Sequence, residues 1–175
     1  FKKKKRNNYT ITTKIGLYPK FKSTNSLNYL KNKILRKIQN KIDLPIINYN
    51  LRCAKKSLDS SLSRLKCEYI DFLLLHELQL NLISSDEFLL WFEKLKNQGK
   101  INNWGIAGYN NTLSKLLETD NPLLNIIQCK DSIEKKEADL LKKNNRKFQF
   151  TYGYFKNNFN SKNNNNFREY LEKIL

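Results

Sequence analysis

Between Leu51 and His76 the chain reads LRCAKKSLDSSLSRLKCEYIDFLLLH, an amphipathic stretch running straight into an apolar one that ends on the only histidine of the protein. Leu51, Ala54, Leu58, Leu62 and Leu65 recur at steps of three and four residues and so share one helical face, with Asn50 placed ahead of them as an N-cap. Ile70 to Leu75, apolar apart from Asp71, has the composition of a strand covered on both sides, as in a parallel sheet. His76 then stands at the C-terminal end of that strand, the edge at which parallel α/β folds do their chemistry.

The same rhythm extends along the chain. Short runs rich in apolar or β-branched residues predict strands at Tyr9–Lys14, Ile70–Leu75, Asn102–Ala107, Asn125–Cys129 and Phe148–Tyr152. Between them, Ser84-x-x-Glu87 reads as a capping box opening a helix that carries Phe88, Trp91, Phe92 and Leu95 inward and stops at Gly99. A helix after Asn111 carries Leu113, Leu116 and Leu117 and ends before Asn121-Pro122; another covers about Glu134 to Lys143, and a last one places Phe167, Tyr170, Leu171 and Ile174 on one face. Lys20 to Asn48 is a polar, lysine-rich connection with room for a helix around Ser26–Gln39, and Lys156 to Asn166 is an asparagine-rich loop. Repeated βα units mean a parallel sheet, either part of a (β/α)₈ barrel with about five units or a five-stranded doubly wound sheet. A doubly wound nucleotide binder needs a glycine-rich phosphate loop after its first strand, and Lys14-Ile15-Gly16-Leu17-Tyr18-Pro19 has neither GxGxxG nor GxxxxGK.

At 175 residues and 39% hydrophobic content the chain can bury the core of one domain. No run approaches a membrane span and no signal-peptide core opens the chain. Cys53, Cys67 and Cys129 form no CxxC pair and, with one histidine, no plausible zinc set; they fit core positions in a reduced, cytoplasmic protein. The net charge of +17 could suit a polyanion, but the lysines are spread over helix surfaces and the composition has the Lys, Asn and Ile skew of AT-rich coding. Nucleic acid is therefore not the expected partner, and the dense block Lys2–Arg6 reads as a solvated basic end. With no methionine anywhere, the chain reads as a fragment.

Ile11-Thr12-Thr13-Lys14, then Ser57-Leu58, Ser61-Leu62, Arg64-Leu65, Tyr69-Ile70-Asp71-Phe72 and His76, then Leu95, Gly99-Lys100-Ile101, Trp104-Gly105-Ile106-Ala107 and Ile127-Gln128 follow one another in an order and spacing that resembles the aldo-keto reductases. The likeness covers about Tyr9 to Gln128, with a weaker extension through Tyr152. It implies an incomplete (β/α)₈ barrel whose five strands correspond to the third through seventh. It also implies NADP(H)- or NAD(H)-dependent reduction of aldehydes or ketones, NADP(H) being the expected cofactor and a small carbonyl compound the substrate.

The family's catalytic set is Asp, Tyr, Lys and His, in which the tyrosine is the acid toward the carbonyl oxygen and the lysine lowers its pKa. By the resemblance Lys14 and His76 match the lysine and the histidine, while the aspartate and tyrosine have no counterpart in this chain. Gln128 matches a glutamine that bonds the nicotinamide carboxamide, and Tyr152 sits where an aromatic ring stacks on the nicotinamide. Ala107-Gly108 replaces the Ser-Asn that many members use for the same carboxamide. Read without the family, Lys14 is a solvated strand end, His76 a strand terminus, Gln128 a loop-satisfying side chain and Tyr152 a rim residue. The expectations are a reductase portion inactive by itself or a non-catalytic barrel remnant, with a polyanion-binding module third, and self-association through open sheet edges in either barrel case.

Overall fold

Asn50 opens the first helix as its position predicts: its side-chain oxygen accepts hydrogen bonds from the Arg52 and Cys53 amides at 3.0 and 3.3 Å. The structure is a computed structural model and describes residues 6, 8–18, 45–132, 135–147 and 150–153. The predicted helix at Ser26–Gln39, the Asn-rich loop and the helix at Phe167–Ile174 lie outside the described residues.

Helix α1, Leu51–Leu65, buries Ala54 and Leu58 and stops at Lys66, whose left-handed backbone turns the amide back onto the Leu62 and Ser63 carbonyls. Helix α2, Ser85–Asn97, buries Phe88, Trp91, Phe92 and Leu95, and Gly99 beyond it has φ 66°. Ser84 is its N-cap residue, but the hydroxyl makes no capping bond, so the predicted capping box does not form. Asp86 and Glu87 in the first turn complement the helix dipole instead. Helix α3, Asn110–Leu117, begins one residue before Asn111, with Tyr109 in the N-cap position. The fourth expected helix is shorter than its sequence suggests: α4 spans Asp139–Lys143, after Lys136 takes a left-handed φ of 47° and Asp131 binds the Ala138 amide at 3.1 Å.

Among the described residues seven strands accompany these helices. They are β1 Thr12–Ile15, β2 Leu17–Tyr18, β3 Ile46–Ile47, β4 Ile70–His76, β5 Ile101–Gly108, β6 Ile126–Lys130 and β7 Phe150–Tyr152. The short antiparallel pair β2–β3 has no counterpart in the sequence reading. The other five form one parallel sheet in the order β1-β4-β5-β6-β7.

That order decides between the two candidate folds. A doubly wound sheet reverses strand order at a switch point and carries helices on both faces, whereas here each strand lies beside its predecessor in the chain. Among the described residues, moreover, the helices pack on one side of the sheet. Ile15, Leu73, Leu75, Ile106, Ile127 and Cys129 pack against Phe88, Trp91, Phe92 and Leu113 in a single core, and the Phe92 ring stacks on Trp104 at 5.8 Å. Each fully buried Leu or Phe there stabilises by roughly 1.5–3 kcal/mol. The opposite face curls inward: the Phe72 and Phe150 rings meet edge to face at 4.8 Å although their strands are three places apart, about 14 Å in a flat sheet. The sheet is thus a singly wound arc of a barrel, not closed among the described residues.

Two local features hold the arc. Gly105 is required where β5 and β6 approach, since a Cβ there would overlap the backbone carbonyl of Ile126. At the N-terminal end Asp71 accepts from Arg6 at 2.7 Å, from the Ile11 amide at 2.8 Å and from Asn102 at 3.0 Å. Arg6 is buried and lies 3.9 Å above the Tyr69 ring, so the residue expected to end a solvated basic block is a core element. The cause is the desolvated carboxylate, which holds the guanidinium inside.

Candidate active site

In parallel strands, residues joined by register share a face, and alternate residues along each strand return to it. Lys14 pairs with Leu74, Leu74 with Gly105 and Gly105 with Ile126. One step toward the C-terminal rim, His76 pairs with Ala107, Ala107 with Gln128 and Gln128 with Phe150, and the last rung is Lys130 with Tyr152. Lys14, His76, Gln128 and Tyr152 therefore all occupy the concave face at its C-terminal rim. The lysine and histidine are roughly 8 Å apart by strand geometry.

The curl brings the two edges of the sheet together. Lys14 Nζ stands 5.7 Å from the Tyr152 ring centre. The ammonium lies over the ring, so the contact is a cation–π interaction. Burial, and then Tyr109, Glu77 and Cys129, push the Tyr152 hydroxyl above its ordinary value. That direction carries the phenol further from neutrality.

Titration of the rim follows from partial burial. Lys14 is lowered by desolvation, with Glu77 opposing, and His76 is lowered by desolvation and then by the positive charge of Lys14. Glu77 is raised by desolvation, against the Tyr109 backbone bond and the attraction of Lys14. A neutral imidazole beside a cation can donate or accept a hydrogen bond at a polar ligand atom.

Sequence reasoning missed two residues of the site. Glu77 follows the histidine in a left-handed conformation, φ 55°, with a carboxylate oxygen 3.4 Å from the Tyr109 amide nitrogen. Tyr49, at the end of the polar connection, places its hydroxyl 2.7 Å from the carbonyls of both His76 and Glu77, which share its single proton. Its ring rests on Gly16, whose φ of 99° and absent side chain make room for it. Neither carries a one-dimensional signal, because a carboxylate after a strand and a tyrosine in a loop are ordinary by themselves. Among the described residues no group of three His, Cys, Asp or Glu side chains could hold a metal ion, and no helix is long and apolar enough to cross a membrane.

Gln128 has a feature that points outward from the protein. Its side-chain Oε1 is buried and has no hydrogen-bond partner among the described residues. An unpaired buried acceptor costs about 1–3 kcal/mol unless a ligand donor meets it.

The Aldo/keto reductase family model matches residues 1–145. Among solved structures, the chain is similar to an aldo-keto reductase from Bacillus halodurans in its holo form, at 22% identity and a TM-score of 0.53, over 81% of this chain and 42% of that one. It is also similar to the glycerol dehydrogenase of Gluconobacter oxydans, at 19% identity and a TM-score of 0.54, over 96% of this chain and 53% of that one. A putative aldo-keto reductase from Pseudomona aeruginosa gives 16% identity and a TM-score of 0.51, over 79% and 46%. The chain thus spans about half the length of the structures it matches, and at these identities they speak to the fold. No curated protein matches it. The family match runs through every strand that brings Lys14, His76 and Gln128 to the rim, and by it the chain belongs to the aldo-keto reductase family.

Proposed function

We propose that this chain forms the central part of an NAD(P)H-dependent reductase site that converts a small aldehyde or ketone to an alcohol, with NADP(H) as the expected cofactor. The observation that carries this reading is the convergence of Lys14, His76, Gln128 and Tyr152 on one rim of the concave face. The residues fit a nicotinamide. The buried, unpaired Gln128 Oε1 is an acceptor suited to a carboxamide N–H, and the half-exposed Tyr152 ring offers a flat surface for stacking.

When bound, the cofactor supplies the reducing equivalent. His76, kept neutral by burial and by Lys14, orients the carbonyl oxygen by hydrogen bonding. Lys14 holds positive charge at the rim, where it lowers the pKa of a hydroxyl brought beside it and so readies that hydroxyl to donate a proton to the carbonyl oxygen. Tyr152 turns its ring face to the lysine and is not that donor. These 175 residues by themselves are accordingly expected to show no measurable turnover, since general acid catalysis contributes about 10²–10⁴-fold and acts as a unit with its partners.

A second reading, a non-catalytic barrel with a binding role, is favoured by one observation: Ala107 and Gly108 offer no polar side chain at the rim. The test is NADPH and NADH consumption with a panel of aldehydes and ketones, by the protein expressed from its complete reading frame. The reductase reading requires turnover that Lys14→Met and His76→Ala each reduce by at least about a hundredfold. Cofactor binding without turnover on any substrate supports the binding role; neither binding nor turnover defeats both readings.

A further inference from the structure

Glu77 is an unusual residue to find where it is. It has a positive φ, which for a glutamate costs of order 1 kcal/mol or more and persists only when the surroundings enforce it. The enforcement is visible: the Tyr49 hydroxyl clasps the carbonyls on either side of the His76–Glu77 peptide, and the Glu77 amide donates to the Ala107 carbonyl at 2.7 Å. This geometry folds the side chain back over the end of β5. The carboxylate reaches the Tyr109 amide at 3.4 Å, and an added Cβ on Gly108 would lie 3.8 Å from the same oxygen. The carboxylate thus lies at the end of β5, in van der Waals range of Gly108 and beside the Tyr109 amide.

A half-buried negative charge is therefore held at the C-terminal end of β5, one residue beyond His76 and near enough to Lys14 for each charge to act on the other. Glu77 and Lys14 attract one another, yet among the described residues no salt bridge joins them. The field of Glu77 also reaches Tyr152, whose hydroxyl it helps to raise.

We propose that Glu77 is a cofactor-contacting residue whose carboxylate makes the site favour the oxidised, positively charged nicotinamide ring over the reduced, neutral one. The inference rests on the cofactor reading above. Both forms present the same carboxamide to Gln128 and the same ring outline to Tyr152; they differ by one positive charge on the ring. A fixed carboxylate at the rim attracts that charge and balances Lys14, which would otherwise repel it. At intermediate dielectric a unit charge a few ångströms away changes affinity by on the order of tenfold.

The experiment is calorimetric titration of the protein, expressed from its complete reading frame, with NADP⁺ and with NADPH at matched ionic strength, for wild type, Glu77→Gln and Glu77→Asn. Glutamine removes the charge at constant shape. Asparagine also removes it but tolerates the left-handed backbone better, which guards against a folding artefact. Both variants should weaken NADP⁺ by about five- to tenfold while changing NADPH less than about twofold. Wild type that binds both forms, with either folded variant retaining the wild-type ratio of the two affinities, overturns the role of Glu77 and leaves the cofactor reading intact. Wild type that binds neither form overturns the cofactor reading and this inference with it.

Discussion

Lys14 Nζ lies 5.7 Å from the centre of the Tyr152 ring although β1 and β7 are the outermost strands of the five-stranded sheet. Four strand spacings separate them, about 19 Å if the sheet were flat. The contact is therefore a measure of curl. It brings together residues 138 positions apart in sequence, while the neighbouring strand β4 sets His76 within reach of the Lys14 charge.

The chain has one histidine, so its titration is observable without assignment. His76 should titrate below its ordinary value of 6.5 in the folded protein, because burial and the Lys14 charge both disfavour the imidazolium. Lys14→Met should raise the midpoint while leaving it under 6.5, since burial is the larger cause and remains. The linkage has a definite sign: between the folded midpoint and 6.5 the unfolded state binds more protons, so His76 makes stability rise with pH across that window. Proton NMR of the imidazole resonance measures the midpoints. A wild-type value above 6.5, or no movement in the variant, would contradict this account of the rim.

Asp71 and Arg6 should respond unequally to truncation. Asp71→Ala leaves a buried guanidinium bonded to the Tyr9 and Tyr69 carbonyls but without its counter-ion, and should cost about 3 kcal/mol. Arg6→Met leaves the carboxylate still bonded to the Ile11 amide and to Asn102, and should cost less, about 1–2 kcal/mol. Urea unfolding of the two variants gives the comparison, and equal losses would show that the ion pair itself dominates over the carboxylate's other bonds.

Tyr49→Phe removes the hydroxyl that bridges the His76 and Glu77 carbonyls while keeping the ring on Gly16. A loss of about 1–2 kcal/mol is expected. Because those carbonyls fix the turn after β4, amide exchange at Tyr109, which donates to Glu77, should accelerate more than exchange in α1. Uniform acceleration across the protein would mean that the bond contributes only to global stability.

The order of strands and helices was legible in one dimension because period and capping are local. Leu51 to Leu65 shows its helical face, Asn50 its cap and Gly99 its stop without reference to anything distant. The ends of elements were less legible. Ser84 looks like half of a capping box yet makes no such bond, and α4 starts late because a distant aspartate, Asp131, holds the Ala138 amide. Lys14 and His76 could be picked out as strand ends, but their common face depends on register, which pairs Lys14 with Leu74 and thereby aligns it with His76 two residues on. Arg6 shows the limit most clearly: as sequence it ends a run of lysines, and only the fold supplies the partly buried Asp71 that draws it inside. The same holds for Glu77, whose position over Gly108 depends on a hydroxyl from Tyr49 and a carbonyl from Ala107. Hydrophobic period and capping chemistry are properties of neighbours in the chain, and the sequence by itself determined the elements they govern. Charge burial, curl and the meeting of the two sheet edges arise between residues far apart in sequence, and the tertiary structure alone decided them.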